Sequence, residues 1–242
     1  MNSIPMQINP AMKVNIVTIG NEKTPVVVID DVLLETSSIM QHACHSVEFE
    51  ADKLTAYPGV RAQLPKWFTD TVMDFICPVF RQQYDVSEEL LPAPIMAYLS
   101  LLTTAPNELQ LLQRMPHFDS VKDSYFSLVL YLNQGDFGGT GFFRHRPTGF
   151  ERILDHRYDN FVLAGKAFTN IYGAPQMKYI NASDEHFELI DSVAYKPNRL
   201  VAYPGNLLHS GMVDPDVDIS GDPLTGRLTA NLFIDFSQGV SQ

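Results

Sequence analysis

The sequence is poor in cysteine and contains no long apolar run. Its two cysteines, Cys44 and Cys77, are far apart and lie in no CxxC or Cys/His finger pattern, so we expect buried, unreactive thiols. A reducing cytoplasm suits such thiols, and we predict that location. Because no stretch of about 18 apolar residues exists, and the N-terminal residues lack a basic start followed by an apolar segment, we expect neither a membrane span nor a signal peptide.

Basic residues are also scarce. The chain has 17 Lys and Arg against 28 Asp and Glu, a formal charge of −11. Nucleic-acid backbones and anionic membranes both attract clustered Lys and Arg, so we expect neither as a partner. We interpret the acidic surface as a source of solubility. The sequence leaves the oligomeric state open.

Length and apolar content predict one domain with a substantial core. The chain has 242 residues, 45% of them apolar, and we expect residues 1–242 to fold together. Residues 14–94 should form a strand and flanking helices. A β-branched run predicts the strand at 24–34, a helix follows at 35–47, and apolar residues at three- and four-residue spacing predict another at 64–84.

Residues 95–236 have a different character, with short apolar runs divided by Pro, Gly and Asn. We predict strands at 95–104, 108–115, 125–133, 141–144, 187–195, 199–203, 207–210 and 227–236. Such a series is typical of an antiparallel barrel or sandwich. An insertion at 145–185, helical at 158–172, is too long for a hairpin loop, and long insertions on a rigid scaffold tend to be functional.

The tripeptide His117-Phe118-Asp119 is the main candidate for metal binding. In a strand, residues i and i+2 point to the same face, so the imidazole and the carboxylate project together while Phe118 points into packing. His209 supplies a third ligand for a facial arrangement of two His and one carboxylate, which suits non-haem Fe(II). The alternative is a hydrogen-bonded core role, which we assign to the five other histidines: His42, His45, His145, His156 and His186.

The last predicted strand carries a candidate site for a carboxylate. Period-two geometry puts Arg227, Thr229 and Asn231 on one face. A guanidinium beside a hydroxyl suits a carboxylate, because Arg forms two parallel hydrogen bonds and stays charged. Tyr131, on the strand at 125–133, could add a phenol donor. The alternatives are a surface pair of Arg227 with Asp222 and a purely structural Tyr131.

Six segments, in order, resemble the prolyl-4-hydroxylase-like branch of the Fe(II)/2-oxoglutarate dioxygenases. They read PVVVIDDVLLE, PHFD, SLVLYLN, GDFGGTGFF, KPNRLVAYPGNLLHSG and GRLTANLF, and they cover most of residues 25–236. The resemblance implies an α+β fold, a double-stranded β-helix (a jelly-roll or cupin-like barrel) with an N-terminal helical layer and one helical insertion.

The resemblance also implies roles and an activity. His117, Asp119 and His209 would bind iron, and Arg227 with Tyr131 would bind the cosubstrate 2-oxoglutarate; Thr229 joins them as a cosubstrate residue because it shares the strand face of Arg227. The expected reaction is hydroxylation of a small-molecule or peptide substrate with release of succinate and CO₂. Because halogenating relatives replace the Asp of the HxD motif with a small residue, Asp119 favours hydroxylation.

The chain departs from the family pattern in two places. Arg227 lies 18 residues after His209, a longer gap than usual that an inserted loop at 212–225 would explain. The insertion at 145–185 leaves the substrate undetermined. Two alternatives therefore stay open: a metal-dependent hydrolase or isomerase on a cupin-like barrel, and a non-catalytic β-sandwich that binds no metal and in which His117 and Asp119 hydrogen-bond to each other.

Positive charge concentrates at the start of the insertion. The basic cluster consists of Arg144, His145, Arg146, Arg152, His156 and Arg157. One interpretation is that it attracts an anionic substrate. The other is that it neutralises the interleaved acids Glu151, Asp155 and Asp159.

Overall fold

Strands with β-branched and aromatic residues organise most of the chain into two sheets. The computed structural model describes residues 6–51 and 55–239. The strands are β1 (Lys13–Ile19), β2 (Thr24–Asp30), β3 (Glu50–Ala51), β4 (Gly59–Gln63), β5 (Leu90–Leu102), β6 (Tyr125–Tyr131), β7 (Thr140–His145), β8 (Phe187–Val193), β9 (Leu200–Pro204), β10 (His209–Gly211) and β11 (Thr229–Gln238). The larger sheet has the order β1-β2-β9-β6-β11-β5-β4-β3 and the smaller one β10-β7-β8. All of these strand pairs are antiparallel.

Within the described residues, three α-helices accompany the sheets. They are α1 (Ser37–His45), α2 (Lys66–Tyr84) and α3 (Asp155–Tyr172). In α2, Phe68, Val72 and Ile76 recur every four residues, which places them on one face, and they are buried in a core with large-sheet residues such as Leu99 and Leu232. Each such buried side chain contributes about 1.5–3 kcal/mol. None of the helices in the described part of the chain is long and apolar enough to cross a membrane.

A second core joins the two sheets. It contains Val129 of β6 and Val201 of β9 together with Phe142 of β7 and Val193 of β8. The smaller sheet therefore covers one face of the larger sheet, while α1 and α2 contribute to the core on its other face. This predominantly antiparallel architecture confirms the prediction of a sheet-rich fold, and the double-stranded β-helix itself stays a prediction.

The strand register determines which side chains meet on the covered face. Thr229 of β11 lies opposite Tyr131 of β6 on one side and Ser100 of β5 on the other. Asn231, two residues on, lies opposite Val129. Because directly opposite residues of an antiparallel pair share a face, these side chains form rows across the sheet.

One predicted strand is wrong. Two short 3-10 helices replace the strand predicted at 108–115. The first, Pro106–Glu108, ends where that range begins, and the second, Leu111–Arg114, lies within it. This stretch has no β-branched residue, and Pro106 stands at the start of its helix, where its fixed φ is favourable. Gln110 and Gln113 then form a capping box around the second turn.

Some strands were not predicted or begin earlier than predicted. The short strands β1, β3 and β4 were not predicted, and β5 begins at Leu90 instead of 95. This earlier part of β5 contains Pro92 and Pro94. It pairs with β11 alone, because β4 pairs only with residues 98–102 of β5. The missing N–H groups of the prolines therefore interrupt no second row of hydrogen bonds.

Candidate metal centre and its cavity

His117 is brought beside His209 by backbone pairing. The two residues exchange hydrogen bonds, each N–H donating to the other's carbonyl oxygen at 2.9 Å. The amide of Asp119 donates to the carbonyl oxygen of Gly205 at 2.7 Å, which fixes the next residue of the motif beside the turn before β10. The imidazole rings lie 4.3 Å apart between centroids. The HxD motif and the distal histidine therefore meet as predicted from their sequence context.

The three side chains present their ligand atoms to a common point. His117 Nε2 lies 3.7 Å from Asp119 Oδ1, and His209 Nε2 lies 3.5 Å from Asp119 Oδ2. The three ligand atoms all fall within 4.8 Å of one another, and in the described part of the chain no other group of His, Cys, Asp and Glu does so. These separations are too long for good hydrogen bonds among the three groups. The triad can hold a metal ion.

Neighbouring groups orient the candidate ligands. The Nδ1–H of His209 donates to the carbonyl oxygen of Leu207 at 2.8 Å, which leaves the lone pair of Nε2 directed at the triad. The hydroxyl of Ser127 donates to Asp119 Oδ2 at 2.5 Å. The protein groups that surround the His117 ring at the cavity wall and displace water from it, together with the nearby His209, lower the pKa of His117 and favour the neutral imidazole that a metal requires. The exposed surface of His117, 55% of the side chain, faces a cavity.

The cavity has a volume of about 600 Å³ and is lined from both sheets. The triad shares it with Arg227, Thr229 and Asn231, so the predicted common face of these three residues is the cavity face. Asp119 is the only carboxylate among the described lining residues, whereas Arg61 and Arg227 both contribute positive charge. The cavity is therefore biased towards anions although the chain as a whole is acidic.

Arg227 is a buried cation held by backbone groups. Its Nε donates to the carbonyl oxygen of Gly138 at 2.7 Å, and an Nη donates to that of Gly139 at 3.3 Å. Gly138 itself lies against the carbonyl oxygen of Met212. A Cβ at position 138 would be 1.7 Å from that oxygen, so only glycine fits there. Arg227 is 6% exposed and forms no ion pair within 4.0 Å in the described chain, so the predicted alternative, a surface pair with Asp222, is not what the structure has.

Tyr131 lies behind the cavity wall. Its hydroxyl hydrogen-bonds to Thr140 Oγ1 at 2.7 Å, and its ring stacks on Tyr195 with centroids 4.5 Å apart. Thr140 lines the cavity and Tyr131 does not. The structure thus brings Tyr131 near the predicted carboxylate site, because the centroid of its ring lies 5.6 Å from the guanidinium carbon of Arg227. The hydroxyl of Tyr131, however, does not face that site. Its role as a cosubstrate donor stays a prediction.

The sequence reasoning missed several lining residues. Ser127 lies on the same strand face as Tyr131 but was given no role, and Arg61 lies on β4, which was not predicted. The helix of the insertion supplies Tyr158, Phe161 and Val162 to the cavity wall. Their three- and four-residue spacing could have indicated one apolar helix face, but the sequence does not indicate what that face covers.

The basic cluster lies outside the cavity lining. Arg144 pairs with Glu151 and with Glu188, whose Oε2 is 2.7 Å from Arg144 Nη1. Arg152 and Arg157 both pair with Glu22, at 3.3 and 2.7 Å. These contacts favour the interpretation in which the cluster neutralises acids, although two of the acids, Glu22 and Glu188, are not the interleaved ones that the sequence suggested.

Comparison with known sequences gives a family. The model of the "Family of unknown function (DUF6445)" matches residues 10–234. The chain belongs to this family. No curated protein matches the sequence of this DUF6445 member.

Solved structures give distant likenesses to the DUF6445 member. HygX from Streptomyces hygroscopicus, solved with nickel, 2-oxoglutarate and hygromycin B bound, is 12% identical, with a TM-score of 0.45 over 90% of this chain and 86% of that chain. AviO1 from Streptomyces viridochromogenes Tue57 is 10% identical, with a TM-score of 0.39 over 85% and 81%. An N-substituted L-amino acid dioxygenase from Burkholderia ambifaria AMMD is 12% identical, with a TM-score of 0.37 over 88% and 85%. None of these likenesses is close enough to establish an activity.

Proposed function

We propose that this protein is a non-haem Fe(II) oxygenase that uses 2-oxoglutarate and hydroxylates a substrate, with release of succinate and CO₂. The observation that carries the proposal is the shared cavity: two histidines and one carboxylate converge at a point that opens onto the same space as a buried arginine that forms no ion pair within 4.0 Å in the described chain. Placement in the prolyl-4-hydroxylase-like branch, and the double-stranded β-helix that goes with it, rest on the ordered sequence motifs.

The donor set fits Fe(II). Two imidazoles and one carboxylate, with the remaining side open to the cavity, are the ligands of non-haem Fe(II) oxygenases. Bound iron and 2-oxoglutarate would let O₂ act as the oxidant, with one oxygen atom passing to succinate as CO₂ leaves and the other passing to the substrate, whereas the protein orients the reactants and limits side reactions. The Leu207 carbonyl fixes His209 in the required tautomer, and Ser127 fixes the carboxylate of Asp119.

Arg227 fits the free carboxylate of 2-oxoglutarate. Two of its N–H groups are held by the carbonyl oxygens of Gly138 and Gly139, which fixes the guanidinium plane at the cavity wall. The opposite charge of buried Asp218 acts on Arg227 only from beyond 4.0 Å, so a carboxylate that paired directly with the guanidinium would lower the cost of burying it. Thr229 Oγ1 lines the same wall and accepts a hydrogen bond from Asn231 at 3.0 Å, so its hydroxyl hydrogen is available to a ligand.

Two observations speak against the alternatives. A metal-dependent hydrolase needs a general base beside the metal, and the only carboxylate among the described lining residues is Asp119, itself a proposed ligand. A metal-free binding module would have His117 hydrogen-bonded to Asp119, but the 3.7 Å separation is too long.

The direct test is an anaerobic titration of the protein with Fe(II) and 2-oxoglutarate, followed by its weak visible charge-transfer band. His117→Ala, Asp119→Ala and His209→Ala should each abolish stoichiometric Fe(II) binding while circular dichroism shows a folded chain. His156→Ala is the matched control, because His156 is exposed and is not among the residues that line the cavity, and it should behave as wild type. Absence of the band in wild type, or full metal occupancy in any of the three variants, would contradict the proposal.

A further inference from the structure

The helix α3 forms part of the cavity wall and is not packed as a core helix. None of its residues is fully buried. Tyr158, Phe161 and Val162 occupy positions i, i+3 and i+4, so they lie on one face, and all three line the cavity. Leu163, one residue further on, is 66% exposed and points away from the cavity lining. The side chains of α3 thus present an apolar surface to the cavity.

This apolar surface adjoins the proposed metal ligands. Phe118 stands between His117 and Asp119 in the chain and also lines the cavity. Its ring meets that of Phe161 edge-on at 5.9 Å and that of Tyr158 edge-on at 6.2 Å. A ligand lying against α3 would therefore lie next to the ligand triad. We call Phe118, Tyr158, Phe161 and Val162 the α3 wall.

The cavity has more room than the cosubstrate needs. Its volume of about 600 Å³ is in the range of pockets that enclose drug-sized ligands. 2-Oxoglutarate is a five-carbon diacid. Its proposed partners are Thr229, the first residue of β11, and Arg227, two residues before it, and neither belongs to the α3 wall. Met115, which packs in the same apolar cluster as Phe118 and Phe161, also lines the cavity and extends its apolar surface.

We propose that the α3 wall binds the aromatic part of a small-molecule substrate and holds it beside the metal ligands. This substrate class rests on the proposed function. Aromatic rings pack favourably edge-on or offset against other rings, and the α3 wall supplies three such rings. Burial of the ring of the substrate provides the binding free energy, while the triad end of the cavity provides polarity.

The test uses the neutral aromatic fluorophore 6-propionyl-2-dimethylaminonaphthalene and the metal-free protein. Wild type should bind one probe per chain with a blue-shifted emission, and 2-naphthol should displace it whereas glucose and glutamate should not. Val162→Asp should weaken probe binding by about tenfold or more, because it places an unpaired carboxylate against the ring. Leu163→Asp, the same change on the neighbouring exposed residue, should bind as wild type.

A second pair of variants covers the case in which Val162→Asp does not fold. Tyr158→Ser removes one ring without adding charge and should weaken the probe by several-fold, whereas Tyr172→Ser, a 62% exposed position on the same helix, should not. No probe binding by wild type, or equal binding by a variant and its control, would overturn the proposal.

The proposal and the proposed function fail in different ways. Probe binding needs no iron, and the charge-transfer titration needs no probe. Loss of selectivity between Val162→Asp and Leu163→Asp overturns the aromatic site even where both variants show the Fe(II)/2-oxoglutarate band. When Fe(II) and 2-oxoglutarate are both bound, 2-naphthol should accelerate succinate formation in wild type and in Leu163→Asp but not in Val162→Asp. Equal acceleration in the two variants would also overturn the proposed aromatic site.

Discussion

At the scale of single residues, the hydroxyl of Ser127 determines how Asp119 is presented. It donates to Oδ2 at 2.5 Å, the same oxygen that lies 3.5 Å from His209 Nε2. Without this bond the carboxylate could rotate about its last torsion angle and lose its alignment with the two imidazoles. Hydrogen bonds to ligating groups typically affect metal affinity almost as strongly as weak ligands do.

We therefore expect Ser127→Ala to lower metal affinity by about 10–100-fold without unfolding the protein. The measurement is competition between the protein and a fluorescent chelator for Fe(II) under anaerobic conditions. Ser124→Ala is the matched control, because the hydroxyl of Ser124 bonds to Asp235 at 3.2 Å, outside the triad. Equal Fe(II) affinity in Ser127→Ala and Ser124→Ala would show that the hydroxyl does not hold the ligand.

Arg227 permits a separate prediction for the cosubstrate. Arg227→Ala should weaken 2-oxoglutarate binding by about 2–5 kcal/mol, the free energy typically lost when one partner of a buried charge pair is removed. Fe(II) should stay bound. Arg227→Lys should recover only part, because the paired N–H donors are lost. Thr229→Val should cost about 1 kcal/mol, the value of one hydroxyl hydrogen bond. The charge-transfer titration measures all three.

The control for this series is Arg146→Ala. Arg146 is exposed and donates to the carbonyl oxygen of Asp184 at 2.7 Å, so its loss removes a cation without touching the cavity. Should Arg227→Ala bind 2-oxoglutarate as tightly as Arg146→Ala does, Arg227 would have a structural role only.

The residues of the site were predictable where period-two geometry applies. Thr229 and Asn231 both face the cavity because alternate residues of β11 share a face. The same rule groups Tyr131 with Ser127 and Val129, yet Thr140 covers the phenol of Tyr131. The two-residue repeat of a strand predicts which face a side chain is on. Whether that side chain reaches the cavity depends on the strand of the other sheet that packs against it, and the sequence does not show which strand that is.

At the scale of elements, local patterns predicted the long helices and most central strands. The predicted helix at 64–84 corresponds to α2, and the predicted strand at 227–236 corresponds to β11 at Thr229–Gln238. The strand predicted at 108–115 failed for local reasons, whereas the missed parts of β4 and β5 depend on tertiary contacts that outweigh propensity. β5 accepts two prolines because half of it lacks a second neighbour, and β4 is a five-residue strand stabilised by pairing with β5.

The insertion is tied to the first hairpin by one buried carboxylate. Glu151 is 1% exposed, and it accepts hydrogen bonds from the backbone N–H groups of Asn21 and Glu22, each at 2.9 Å. It also accepts one from Arg144 Nε at 2.9 Å. These contacts connect the turn between β1 and β2 to the segment between β7 and α3, so we assign Arg144 a structural role.

Glu151→Ala should therefore lower the free energy of unfolding by about 3–5 kcal/mol, because it leaves two amides and a cation without their buried acceptor. Urea or guanidinium denaturation measures the change. Glu188 is the other acid that pairs with Arg144, and its side chain is 39% exposed. Glu188→Ala should therefore lower the free energy of unfolding by no more than about 1 kcal/mol. Similar losses for the two variants would show that the buried contacts of Glu151 are not special.

At the scale of the whole molecule, charge is divided between surface and interior. The chain carries −11 formally, yet the described cavity lining contains two arginines and one carboxylate. Positive charge at a cavity wall favours anions, whereas the overall charge of the chain disfavours them. Net charge read from the sequence therefore did not predict the sign of the charge at the site, and the exclusion of nucleic acid and membranes as partners stays a prediction.

Global stability should also depend on pH through a buried histidine outside the cavity. His145 is 2% exposed, with its Nδ1 2.8 Å from Thr148 Oγ1 and its ring packed between Phe161 and Phe187. Burial, with a smaller effect of His186, lowers the pKa of His145 from 6.5 to about 4. The unfolded chain binds this proton near its ordinary pKa, whereas the folded chain does so only near the lowered value.

It follows that the stability conferred by a neutral His145 is fully present above the unfolded pKa of 6.5 and is lost as pH falls towards about 4. Within that window this residue should contribute a slope of up to about 1.4 kcal/mol per pH unit to the free energy of unfolding. His145→Leu should lose that slope, and urea denaturation between about pH 7 and pH 5 measures it. His156→Leu replaces an exposed histidine of the same segment and should keep the wild-type slope. If His145→Leu also kept it, another titrating group would govern the acid sensitivity of the fold.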